Sequence, residues 1–86
     1  MPKKKIDKDT FRWYQSGHHF YNLEHTYDSF DVAEVWYNKG EGWVGEVFGV
    51  DLEVAHKTLR EIKEAAEEYL TRFTTDFQQY LGGNHD

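Results

Sequence analysis

Apolar residues recur at helical spacing through the last third of the chain, and this stripe restricts the possible folds more than any other feature. Spacings alternate between four and three along Ala55, Leu59, Ile62, Ala66, Tyr69 and Phe73, and Leu52 and Leu70 widen the stripe. This pattern predicts one long amphipathic helix that packs its apolar face on another element. Asp51 fits the N-cap of this helix, and Gly82-Gly83 fits its end.

The predicted helix is too long for the sheet it would cover. From residue 52 to residue 81 it would extend about 45 Å, whereas an eight-residue strand spans about 27 Å. Thr75 and Gln78 fit a capping box, which predicts a break near Thr74-Thr75 and a short second helix. The alternative is an unbroken helix whose projecting end needs a partner chain; that end carries Phe73, Phe77, Tyr80 and Leu81.

The residues before this stripe predict an antiparallel sheet. Aromatic and β-branched residues are concentrated in three segments, 20–27, 30–38 and 43–48, separated by turn residues at Asp28-Ser29 and at 38–42. Residues 10–14 fit a short extra strand or an arm across the sheet. The predicted fold class is therefore α+β, with a three-stranded antiparallel β-meander packed against one C-terminal helix.

Length and composition predict a single domain with a thin core. An 86-residue chain buries little more than about 60% of its unfolded surface, but bulky aromatic residues make up 17% of this one. We expect a flexible basic tail at residues 1–9, one domain at 10–81 and a C-terminal tail at 82–86. Without cysteine or an apolar N-terminal run, the sequence predicts a cytoplasmic protein with no disulfides and no membrane attachment.

Charge is unevenly distributed along the chain. The net charge is −6; residues 1–10 carry +2, whereas residues 11–50 carry −4. A domain with this balance is repelled by phosphate backbones and attracted to basic protein surfaces.

Strand alternation sorts the meander into two faces. The face predicted to pack beneath the helix contains Tyr21, Leu23, Ala33, Val35, Tyr37 and Val47. The opposite face contains Phe20, Asn22, Glu24, Thr26, Val32, Glu34, Trp36, Val44, Glu46 and Phe48. One helix covers only one face, so we expect the second face to be open. Its candidate partner-binding residues are Phe20, Glu24, Glu34, Trp36, Glu46 and Phe48, because large rings beside carboxylates suit a basic partner. The competing interpretation is an ordinary solvated face with a few stray aromatic residues, or one covered by the arm at residues 11–14.

Motifs for other chemistry are incomplete. A glycine spacing typical of nucleotide-binding loops occurs at Gly40, Gly42 and Gly45. These glycines lie in a predicted hairpin and not at the start of a helix, so turn geometry and close packing explain them better. His18, His19 and His25 lack a diagnostic metal-ligand spacing. Ser16 and Ser29 lie in predicted turns, and paired carboxylates such as Glu24 and Glu34 lack a predicted pocket. We therefore expect no enzyme, no cofactor and no metal.

Three functions remain open at this point. The first is a non-enzymatic inhibitor or adaptor whose acidic aromatic face binds a basic protein surface. Such a face could imitate the charge of nucleic acid, and small chains of this kind are frequent in phages and mobile elements. The second is a homo-oligomeric scaffold, a homodimer for instance, that buries this face or the helix end at residues 73–81. The third and least favoured is a single-strand nucleic-acid binder with bases stacked on the rings.

Overall fold

The computed structural model describes the backbone of residues 9–82 and the side chains of residues 9–72. The elements, in chain order, are β1 Phe11–Gly17, β2 Phe20–His25, β3 Phe30–Asn38, β4 Gly42–Val47, β5 Val50–Asp51 and α1 Leu59–Gly82. Of the expected tails at residues 1–9 and 82–86, residues 1–8 and 83–86 lie outside the described residues, and Gly82 is the last residue of α1.

The fold is α+β, as the sequence predicts. All five strands are antiparallel neighbours in the order β1-β2-β3-β4-β5, and α1 packs on one face of the sheet. The sheet has five strands, so the predicted count of three was not exact: the optional N-terminal strand is present, and one further strand follows β4. The segment expected to form a short strand or arm is the seven-residue β1, and the expected helix start is β5.

A tight turn explains why the chain does not enter the helix after β4. Phe48 and Gly49 both adopt positive φ, +52° and +78°, the conformation of a two-residue type I′ turn that reverses the chain into a hairpin. Val50 and Asp51 then pair with Val47 and Glu46. Asp51 is therefore an edge-strand residue, and its predicted role as a helix N-cap was wrong.

The helix begins seven residues later than predicted, at a capping box. The Glu61 backbone N–H donates to the Thr58 hydroxyl at 3.1 Å, and the Glu61 carboxylate accepts from the Thr58 backbone N–H at 3.1 Å. From there the helix runs unbroken for 24 residues, about 36 Å. The predicted break near Thr74-Thr75 is therefore absent, and the side chains of residues 73–81 lie outside the described ones.

The core lies between the sheet and the first half of the helix. Its buried members are Leu23, Val32, Ala33, Val35, Val47, Ile62, Ala66 and Leu70. The face assignment was right for Leu23, Ala33, Val35 and Val47. Tyr21 is half-buried, whereas Tyr37 is 45% exposed at the sheet margin and packs edge-on against Trp43.

Two polar helix residues, Glu67 and Lys63, also contact the sheet. The Trp13 indole N–H donates to the Glu67 carboxylate at 2.7 Å. One turn earlier, the Lys63 ammonium lies 4.7 Å from the centroid of the Tyr21 ring and 5.5 Å from that of Trp13. β1 is thus held to the helix through Trp13, and Phe11 and Trp13 also pack against the hydrophobic core.

A bulge in β3 changes which side chains face the helix. Leu23 pairs with Ala33, but Glu24 pairs with Asp31, so Val32 has no partner in β2. Val32 is consequently buried at 2% exposure, and its predicted place on the open face was wrong. The same shift moves Asp31 to the open face, opposite Glu24.

Gly45 permits the close approach of β3 and β4. A Cβ atom there would lie 2.7 Å from the Glu34 backbone oxygen and 2.8 Å from a Val35 methyl group. Close packing therefore explains this glycine, as expected from the sequence, and Gly40 and Gly42 adopt the positive φ of turn positions.

We expect Gly45→Ala to lower the free energy of unfolding by about 1–3 kcal/mol, because the added methyl group overpacks a buried strand pair. Chemical denaturation measures the change. Gly17→Ala is the matched control, since a Cβ at Gly17 meets its nearest atom at an ordinary 3.6 Å. Equal stability losses in the two variants would contradict the packing explanation.

Within residues 9–82, no helix combines the length and the apolar character required to span a membrane.

Candidate functional site: the open face of the sheet

The sheet face opposite the helix consists of three cross-strand rows. Antiparallel pairing sets side chains of neighbouring strands directly opposite one another, about 4.5–5.5 Å apart at Cβ. The middle row contains Tyr14, Asn22, Glu34, Glu46 and Asp51, one from each strand. The row on one side contains Phe20, Trp36 and Val44, and the row on the other contains Arg12, Glu24 and Asp31.

Three carboxylates lie in succession in the middle row. Glu34 pairs with Glu46, and Glu46 pairs with Asp51. In the part of the chain whose side chains are described, no Lys, Arg or His forms an ion pair with any of the three. Like charges directly opposite each other destabilise a sheet. We call Glu34, Glu46 and Asp51 the carboxylate row.

A pair of stacked rings borders the carboxylate row. Phe20 and Trp36 are opposite residues of β2 and β3, and their rings stack with centroids 5.7 Å apart and planes 11° apart. Both side chains are half-buried. The stack therefore offers a preorganised apolar surface next to uncompensated negative charge.

The third row is electrostatically satisfied. Arg12 lies 3.4 Å from Glu24 as an ion pair. Asp31 accepts hydrogen bonds from the Tyr14 hydroxyl at 2.8 Å and from the Asn22 amide at 3.3 Å. Glu24, one of the sequence candidates, is thus already paired, whereas Glu34 and Glu46 are not.

The negative field of this face acts on Tyr14. Its hydrogen bond to Asp31 raises the pKa of the phenol above the ordinary 10.0; partial burial and the charges of Asp31, Glu24 and Glu34 act in the same direction. The hydroxyl is therefore held neutral as a donor to Asp31.

We expect Asp31→Asn to lower the pKa of Tyr14, since the largest cause of its elevation is removed. Because the folded-state pKa lies above the unfolded one, the stability this interaction contributes is present below pH 10 and is lost as the pH rises through the folded pKa. NMR titration of the labelled tyrosine ring measures the pKa directly. Asp28→Asn, which removes the same charge from the β2–β3 loop, is the control; an equal decrease in both variants would contradict the assignment.

Two further residues alter the predicted site. Phe48 belongs to the β4–β5 turn and is 46% exposed, so its predicted position on strand β4 was wrong. Asp51 joins the carboxylate row, although sequence reasoning assigned it to a helix cap. Of the six candidates, Phe20, Glu24, Glu34, Trp36 and Glu46 share the open face.

The open face ends in a groove of about 430 Å³ beside β4. Trp36 and Val44 contribute apolar surface, and the residues after β5 form the outer wall. Carboxylates of Glu41, Asp51 and Glu53 also line it.

His18, His19 and His25 lie away from the open face. His18 and His19 stack on each other in the β1–β2 turn, with ring centroids 3.9 Å apart. His25 packs between the Phe11 and Phe30 rings, and its Nδ1 lies 3.3 Å from the Asp28 carboxylate. Among the described residues, no three His, Cys, Asp or Glu side chains form a group that could hold a metal ion.

Comparison with protein-family models, curated proteins and solved structures found no match. The functional argument therefore depends on the geometry and charge of the open face.

Proposed function

We propose that this protein is a non-enzymatic binding module, an inhibitor or adaptor, whose open sheet face engages a basic surface on another protein. The observation that carries the proposal is the carboxylate row. Three opposed carboxylates repel one another in the free protein, and a partner's Lys or Arg side chains would convert that repulsion into attraction.

The stacked rings supply the apolar part of the interface. Phe20 and Trp36 are rigid and half-buried, so binding orders few additional degrees of freedom in them. Aromatic anchors beside charged residues are the composition of interface hot spots. In this proposal the rings contribute affinity, while the carboxylate row selects a basic partner and accelerates its association.

The carboxylate row also argues against a homodimer through this face and against nucleic-acid binding on it. A homodimer that buried this face would bring two copies of Glu34, Glu46 and Asp51 together without a countercharge. A single nucleic-acid strand on the same rings would place its phosphates near these carboxylates. Imitation of nucleic-acid charge, in contrast, is compatible with the row, because its acidic groups project from a regular scaffold.

Affinity capture from an extract of the native host tests the proposal. A Glu34→Gln, Glu46→Gln bait should lose the partner recovered by the unmodified protein, because it lacks two of the three carboxylates. The matched control bait is Glu64→Gln, Glu68→Gln, which removes the same charge from helix residues that pair with Arg60 and Arg72. Recovery of the same partner by all three baits would exclude the open face as the binding surface.

A further inference from the structure

The groove beside β4 arises from extra residues in the edge segment. Asp51 pairs with Glu46, and His56 pairs with Trp43, so residues 52–55 lie opposite only two residues of β4. The segment is fixed at both ends: the Leu52 N–H donates to the Gly45 oxygen at 2.9 Å, and His56 exchanges two backbone hydrogen bonds of 2.8 Å with Trp43. Between these anchors the chain projects outward, with Glu53 at φ +46°.

This bulge forms a cleft at the margin of the sheet, and one side of the cleft is aromatic. Trp36 and Val44 line the sheet side of the groove, and the exposed Val54 lines the bulge side. Glu41 and Glu53 contribute carboxylates, and Asn38 fixes the Glu41 carboxylate by donating its amide N–H at 2.5 Å. An indole surface and carboxylates therefore line one concave site.

We propose that this groove receives an arginine side chain from an extended segment of the basic partner. A guanidinium is planar, stacks on aromatic faces and forms paired hydrogen bonds with carboxylates, whereas an ammonium is a compact and more strongly hydrated charge. The inference rests on the proposed function and adds its specificity: the carboxylate row attracts basic surfaces in general, and the groove distinguishes arginine from lysine.

Charge complementarity identifies the occupant. The side chains lining the groove are apolar or carboxylate apart from the Asn38 amide, so a cation with a flat, weakly hydrated surface matches it better than an apolar helix or an anion. A second copy of the chain would bring its own acidic face toward these carboxylates. A partner segment rich in arginine avoids this repulsion.

Fluorescence anisotropy with three labelled hexapeptides tests the preference. One peptide carries two arginines, the second carries lysines at those positions, and the third carries citrulline, which keeps the shape but lacks the charge. We expect the arginine peptide to bind at least about fivefold more tightly than the lysine peptide and still more tightly than the citrulline peptide. Equal binding of the arginine and lysine peptides, or no binding of either, would overturn the groove proposal.

Variants that remove the groove's carboxylate charges test whether the arginine preference arises in the groove. Glu41→Gln, Glu53→Gln should abolish the arginine preference, whereas the Glu64→Gln, Glu68→Gln control should keep it. Amide and indole NMR signals of Trp36, Val44 and Val54 should shift on titration with the arginine peptide. Shifts confined to other surfaces, or an unchanged preference in the groove variant, would contradict the assignment.

Two additional results separate this inference from its premise. If the groove variant loses the arginine preference but captures the same host partner, the groove proposal holds and the partner does not depend on the groove alone. If the Glu34→Gln, Glu46→Gln bait still captures that partner, the proposed function fails even when the peptides bind the groove.

Replacing Lys3, Lys4 and Lys5 by serine should leave the affinity for the arginine peptide unchanged. Tighter peptide binding by this variant would identify the chain's own N-terminal segment as the occupant of the groove and overturn the proposal.

Discussion

Leu23→Ala is expected to lower the free energy of unfolding by about 2–5 kcal/mol, a large part of the roughly 4–13 kcal/mol typical of a chain of this length. Leu23 is fully buried in the central part of the sheet, where it belongs to the same cluster as Ile62 and Ala66 of the helix. A chain of this length has few such residues, so a cavity here removes a large share of its total stability.

Urea denaturation followed by far-ultraviolet circular dichroism measures this loss. Val54→Ala is the control, because it also shortens an aliphatic side chain but at a position 62% exposed on the bulge. We expect that variant to remain within about 0.5 kcal/mol of the unmodified protein. A loss below about 1 kcal/mol for Leu23→Ala would show that helix and sheet do not share one core.

The sequence predicted the parts of this fold that depend on regular periodicity. Alternation along β2 and β3 identified Leu23, Ala33 and Val35 as core residues, and the helical stripe identified Ile62 and Ala66. These predictions succeeded because burial of a regular strand or helix imposes a regular pattern on the chain.

The errors arose where the backbone departs from regularity. Val32 has no partner in β2, and this bulge breaks the alternation of β3, so Val32 was assigned to the open face although it is buried. Phe48 has no sequence signal for a positive φ, because type I′ turns favour Asn, Asp and Gly. Without that turn, Asp51 resembled a helix cap and β5 was missed.

The helix start was recoverable from the sequence. Thr58 and Glu61 have the spacing of a capping box, the same rule that suggested a break at Thr75. Leu52 and Ala55 fall by coincidence on the helical stripe and concealed this signal. Leu52 does pack against the core, but it does so from the connecting segment after β5.

The sequence predicted which residues lie on the open face, but not which of its carboxylates have a partner. Glu34, Glu46 and Trp36 lie on one face as the alternation required. Which carboxylates lack a partner depends on cross-strand register, and register depends on the bulge and turns that periodicity does not reveal. The sequence therefore placed Glu24 on equal terms with Glu34, although Arg12 pairs with only the former.

Glu46→Lys is expected to increase the stability of the protein while abolishing partner binding. Glu46 lies between Glu34 and Asp51, so a lysine there replaces two repulsive cross-strand pairs with two attractive ones. Each such pair contributes about 0.2–1 kcal/mol, which predicts a total gain of about 1 kcal/mol or more at low salt. A binding surface selected for a basic partner would thus be suboptimal for the stability of the free protein.

Salt dependence gives this prediction a test that requires no partner. Added salt should stabilise the unmodified protein by screening the carboxylate row, since the screening length decreases from about 30 Å at 0.01 M to about 3 Å at 1 M. In Glu46→Lys the local interactions are attractive, so the same salt should stabilise that variant less or destabilise it. Glu53→Lys is the control for net charge, because it makes the same change at an exposed residue that forms no ion pair with the described side chains. If both lysine variants respond to salt alike, the repulsion belongs to the overall charge of the chain, and the carboxylate row would lose its distinctive role in recognition.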